Sequence, residues 1–171
     1  LDSVALLGPI EVGGIPWRST PVNRSIERIP GVYLDSVEPS SVVQGWGTLQ
    51  KNRSVWGKPL VIAGKSYLRG LGTSSRTKIT YALGGQYRRF QSWVGADQAT
   101  NPSVTFEVWT DGAKRWESGL MKRDDPAKWC DVDVSGARVL ELRVGDGDDG
   151  ITADHADWGE CGLKWGRPRG A

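Results

Sequence analysis

The only histidine of the chain, His155, stands in the run DHADW at residues 154–158. Asp154 and Asp157 flank it, and Trp158 closes the run. Carboxylates accept strong charge-assisted hydrogen bonds and offer oxygens to hard cations. Imidazole both donates and accepts, and an indole presents a flat apolar face with one N–H. These groups together suit a polar ligand or a cation. The preceding GDGDDG at 145–150 favours turns, because Gly supplies unusual backbone angles and Asp bonds back to its own main chain. Residues 150–158 are therefore read as an ordered loop that presents His155 on a solvent-open acidic rim, with the rest of the chain as its scaffold.

The scaffold reads as strands. Ile79, Tyr81 and Leu83 alternate with polar residues, as do Phe90, Ser92 and Val94, then Val104, Phe106 and Val108, and later Leu140, Leu142 and Val144. Val132 and Val134 alternate with Asp131 and Asp133, and Leu163 with Trp165 suggests a closing strand. Turn signals separate these runs at Ala63–Gly64, Gly84–Gly85 and, most strongly, Asp111–Gly112. No stretch holds helical spacing. Short strands at regular intervals predict an all-β fold, an antiparallel β-sandwich, with a barrel as the alternative that period-two patterns do not separate.

The chain has 171 residues, the size of one domain with a short arm. Residues 1–32 are rich in proline, with a strand pair around Gly13–Gly14, and read as an N-terminal arm or the end of a preceding module. Residues 33–166 form the domain and 167–171 a basic tail. The formal charge is only +2 and the basic residues are scattered among acids, which leaves no nucleic-acid footprint. No run approaches the roughly 18 apolar residues of a membrane span. No signal-peptide pattern is visible at Leu1, which leaves export open. Asn23 and Asn52 each head an N-glycosylation pattern. Cys130 and Cys161 are too few for a zinc site; they are read either as buried small residues or as a disulfide. Nine tryptophans against one methionine is the oddity of the composition. Trp46, between Gly45 and Gly47, marks a place where backbones come close.

Eight runs then carry a resemblance in one order: GWG (45–47), RGLGT (69–73), YALGG (81–85), VGAD (94–97), VTFEVW (104–109), DG (111–112), DVDVSG (131–136) and DHADW (154–158). Together they resemble the NPCBM domain, also classed as the family-51 carbohydrate-binding module. The resemblance implies a jelly-roll sandwich of the galactose-binding-domain type, a structural calcium ion, and recognition of galactose-containing glycans by loops at one end. It also implies a secreted setting, extracellular or periplasmic, as an accessory module beside a glycoside hydrolase or related domain. The family usually carries histidine where this chain has Ser74, commonly Asp where it has Glu160, and usually a residue other than Cys at Cys161.

The residues expected to meet a sugar are Trp46 for the ring face, with Arg69, Ser74, Asp97, Asp154 and His155 for the hydroxyls; Trp158 is the other ring that could supply the face. Calcium is expected at Asp157 and Glu160, with carbonyls from the loop near Asn52, in preference to the acids of 146–149, which lack the EF-hand pattern. Catalysis is the weaker reading. A Ser-His-Asp set could be assembled from Ser74 or Ser75, His155 and Asp157, but no GxSxG elbow is present. The other alternative is a structural or protein-interaction sandwich that has lost its sugar site.

Overall fold

A computed structural model describes residues 31–147 and 154–166. The Gly13–Gly14 turn, the Asn23 pattern, residues 148–153 and the 167–171 tail lie outside the described residues. The elements in chain order are β1 (Gly31–Tyr33), a 3-10 turn (Leu34–Ser36), β2 (Ser41–Val43), β3 (Gln50–Lys51), β4 (Leu60–Ile62), β5 (Lys65–Tyr67), β6 (Gly70–Ser74) and β7 (Thr77–Ala82). There follow β8 (Tyr87–Ala96), β9 (Ser103–Thr110), β10 (Ala113–Glu117), β11 (Met121–Lys122), β12 (Lys128–Asp133), β13 (Val139–Gly145) and β14 (His155–Trp165). Gly31 and Val32, assigned to the arm from sequence, belong to the first strand.

Two antiparallel sheets face each other. The first runs β12-β8-β14-β6-β3, with β1 beside β14; the second runs β10-β9-β13-β7-β2, with β11 beside β9. Several successive strands alternate between the sheets (β6 to β9, then β12 to β14), which is the wiring of a jelly roll. The expected sandwich therefore forms, and its period-two residues meet between the sheets. Phe90, Phe106, Ile79, Leu140 and Leu142 are fully buried there around Trp158. The Trp158 ring lies edge-to-face with Phe106, 5.0 Å between centroids. The Asp111–Gly112 and Ala63–Gly64 turns are hairpins with both residues at positive φ, as two-residue loops require. The Gly84–Gly85 turn instead carries the chain from one sheet to the other.

One expectation is corrected, and one alternative is decided in favour of buried small residues at Cys130 and Cys161. Residues 155–158 are not loop: they open β14, an 11-residue strand in the middle of the first sheet, between β6 and β8. Both faces of this strand are covered, so its polar residues did not betray it by pointing into solvent. Cys130 and Cys161 are both buried free thiols, and β8 runs between their strands. Two strand spacings, about 9.6 Å, exceed the reach of a disulfide.

Candidate functional site

The outer face of the first sheet carries a second layer. The β4–β5 hairpin sets Leu60, Ile62 and Tyr67 against this face, with Trp93 and Ala127 at its margin. The layer comes so close because two of the sheet positions beneath it are glycines. Gly72 and Gly95 are the cross-strand partners of Asp157 on either side. A Cβ on Gly72 would lie 2.1 Å from the Arg53 carbonyl, and one on Gly95 would lie 2.3 Å from Ile62. Asp157 is thus flanked by a glycine on each side and roofed by the chain around residues 53–62.

Asp157 is wholly buried, and the carboxyl it faces is Asp97, itself buried. Neither Asp157 oxygen nor Asp97 Oδ2 has an ordinary hydrogen-bond partner. Burial first, and then the Asp97 carboxyl, push the Asp157 pKa well above the usual carboxylate range; the Val61 backbone pulls the other way. Two carboxylates cannot both stay charged there, so a neutral Asp157 shares its proton with Asp97. Asp97 also closes its own turn, accepting the Ala99 N–H at 2.8 Å, and its N–H donates to the His155 carbonyl.

His155 occupies the next outward position of β14, opposite Ser74. Trp46 stacks on its ring, 5.5 Å away at 15°, and Trp56 meets it edge-on at 4.7 Å. The imidazole is 3% exposed, whereas Trp46 and Trp56 are 48% and 49% exposed. The expected open rim of acid and histidine is therefore closed: what faces solvent is a pair of indoles, with the imidazole as their floor. Burial lowers the His155 pKa against the opposing pull of the Asp97 charge, so the ring is neutral at pH 7. Its Nδ1 is buried without a partner.

Local sequence explains the placement of Trp46. Gly47 takes a φ of 69°, and a Cβ on Gly45 would lie 2.7 Å from the Ser75 carbonyl. The loop can therefore lie flat on the end of β6. Ser74 fixes it there, since its hydroxyl donates to the Trp46 carbonyl at 2.7 Å and accepts the Trp46 N–H at 3.2 Å. Ser74 is buried and positions the indole; it is not itself a surface hydroxyl. Trp56 is the residue the sequence reading missed. Its signal was present, because it too precedes a glycine, Gly57, inside a polar loop.

Three expected residues serve elsewhere. Asp154 is buried, and its carboxylate accepts the Ser103 N–H at 3.0 Å while its carbonyl accepts the Ser75 N–H, so it fastens loops together. Arg69 lies at the far end of β6 from Ser74. It grips Asp35 through bonds of 2.8 to 3.3 Å and lies over the Tyr33 ring at 4.1 Å. Burial tends to raise the Asp35 pKa, but the bonds from Arg69 and Asn52 outweigh it and hold the carboxyl low. Asn52 spends its amide on Asp35 and on the Gly70 N–H. Glu160 is exposed, three residues beyond Asp157 across a bulge, and its N–H donates to the Arg69 carbonyl. Of the pair expected for calcium, Asp157 is thus sealed beneath the roof while Glu160 faces solvent. Among the described residues no three His, Cys, Asp or Glu side chains gather as a metal set.

A Ser-His-Asp triad does not form either: Ser74 is committed to the Trp46 main chain, and no carboxylate orients His155 at Nδ1. The fold and the aromatic rim define a β-sandwich binding module. Residues 31–164 match the NPCBM/NEW2 domain, and the chain belongs to that family. Among solved structures it is similar to CBM51 from Clostridium perfringens GH95, seen in complex with methyl-galactose: 36% identity, TM-score 0.75, covering 79% of this chain and all of that one. It is likewise similar to the CBM51-2 and INT domains from Clostridium perfringens ZmpB in complex with GlcNAc: 31% identity, TM-score 0.74, covering 79% of this chain and 31% of that one. A curated relative, alpha-1,3-galactosidase B of Akkermansia muciniphila, is 32% identical over 143 residues. The match takes in 78% of this chain and 18% of that protein. The chain is thus a carbohydrate-binding accessory module and not an enzyme. No helix among the described residues is long and apolar enough to cross a membrane.

Proposed function

We propose that the chain binds galactose-type glycans at the rim formed by Trp46 and Trp56, as a non-catalytic part of a larger secreted glycoside hydrolase or related protein. The observation that carries this is the pair of half-exposed indoles held over a neutral imidazole at one end of the sandwich. A pyranose offers one face of C–H groups to an indole, and its hydroxyls seek charged or two-way hydrogen-bonding partners. Beneath the rim lies His155 Nδ1, buried and without a partner, which gives a sugar hydroxyl something to gain on arrival. A small shift of either indole gives it access. The complex of a similar module with methyl-galactose supports galactose as the first sugar to try.

The test is calorimetric titration with methyl-galactoside, alongside an array of many glycans. Saturable binding that Trp46→Ala weakens at least tenfold, with thermal stability nearly kept, is the expected result. A blank array would instead favour a spacer or protein-docking sandwich, the reading that the covered His155 supports.

A further inference from the structure

A second aromatic surface lies on the same outer face, beyond the β4–β5 hairpin. Trp93 of β8 and Trp129 of β12 are directly opposed across the strands, 5.0 Å between centroids and inclined at 56°. Trp129 is 44% exposed on an edge strand. Lys65 Nζ stands 5.3 Å from the Trp93 ring and closes one side. Trp93 pairs with Gly159, four residues along β14 from His155, so about 13 Å separates the two aromatic surfaces.

The next row of the same face is polar. Asp131 lies two residues along β12 from Trp129 and pairs in register with Gln91. Arg89 bonds Asp131 at 2.9 Å. The Gln91 amide has no hydrogen-bond partner among the described residues. Asp131 also borders a cleft of about 510 Å3 at the sandwich edge, lined in addition by Asp133, Arg115 and Thr110. That volume falls within the range of ligand sites. Aromatic rings for a ring face thus adjoin an amide, a carboxylate and a guanidinium about 6.6 Å further on, roughly one sugar unit.

We propose that this edge is a second saccharide-binding surface. One pyranose of an extended neutral glycan stacks on Trp129 beside Trp93, and the next unit hydrogen-bonds to Gln91 and Asp131 at the mouth of the cleft. The chemistry favours sugar over an apolar partner, because the exposed Trp129 adjoins the polar row of Gln91, Asp131 and Arg89, while the aliphatic contacts of the β4–β5 hairpin fall on Trp93. Two weak surfaces on one module raise its apparent affinity for glycan-dense material.

Indole N–H resonances test this directly in the 15N-labelled chain. Methyl-galactoside, N-acetylglucosamine, lactose and maltohexaose are titrated, with glycerol as control. The expected result is saturable movement of the Trp93 and Trp129 signals with at least one saccharide, on a curve that Trp46→Ala leaves intact. Trp129→Ala should weaken that curve at least tenfold. Asp131→Asn, which keeps both rings, should weaken it about threefold. Still Trp93 and Trp129 signals with every saccharide, movement equal to that in glycerol, or movement abolished by Trp46→Ala would each overturn the proposal. The Trp46 and Trp56 signals report separately on the first rim.

Discussion

Both faces of β14 are covered, but with opposite chemistry. Inward from β14 point Ala156 and Trp158, which meet Phe90, Phe106 and the rest of the inter-sheet core. Outward point His155 and Asp157, which meet indoles, a second carboxyl and the β4–β5 hairpin. The inner face is built from apolar contacts that gain from leaving water. The outer face holds buried polar atoms without partners, each a cost to the fold. The contrast teaches where stability and binding reside: the inner face supplies the free energy that the outer face consumes.

The largest effect should come from the inner face. Trp158→Ala removes the fully buried indole at the centre of the core and should cost about 3–5 kcal/mol in urea unfolding. A loss below about 1 kcal/mol would mean that the core does not turn on this ring.

Asp157→Asn should act with the opposite sign. Folded Asp157 keeps its proton, while the unfolded chain ionises near pH 4. Above that pH the unfolded state binds fewer protons, so stability falls as pH rises toward the raised folded pKa, by up to about 1.4 kcal/mol per unit. Asparagine stays neutral and can still donate to Asp97. The variant should therefore be more stable at pH 7, with a flatter pH profile. If it is less stable, and a chelator lowers the melting temperature of the unaltered chain, the carboxyl pair holds a cation and not a proton.

Arg69→Ala, at the far end of β6, should cost about 1 kcal/mol by leaving the nearly buried Asp35 carboxylate with fewer donors. Sugar affinity should not move; a loss of more than threefold would join that corner to the rim. The smallest effect belongs to Ser74→Ala, which frees the Trp46 main chain. A two- to fivefold loss of affinity at unchanged melting temperature is expected, and no change would mean that Gly45 and Gly47 suffice to seat the loop.

The alternation of Ile79, Tyr81 and Leu83, and of Leu140, Leu142 and Val144, was enough to predict strands, because a half-buried strand writes its period into the sequence. Asp111–Gly112 announced its hairpin for an equally local reason, the positive φ that two-residue loops demand. Within DHADW, the alternation that sets His155 and Asp157 on one side of β14 and Trp158 on the other was masked by the turn-forming Gly and Asp just before it. What the sequence could not disclose was the covering of that polar side. The roof over Asp157 comes from residues around 53–62, about a hundred positions earlier in the chain, and it can descend only because Gly72 and Gly95 flank Asp157 in neighbouring strands. The meeting of Asp97 with Asp157, the seating of Trp46 and Trp56 on His155, and the capture of Arg69 by Asp35 are contacts between distant segments. Residue type and period fix which way a side chain points; only the closed sandwich decides what it meets there.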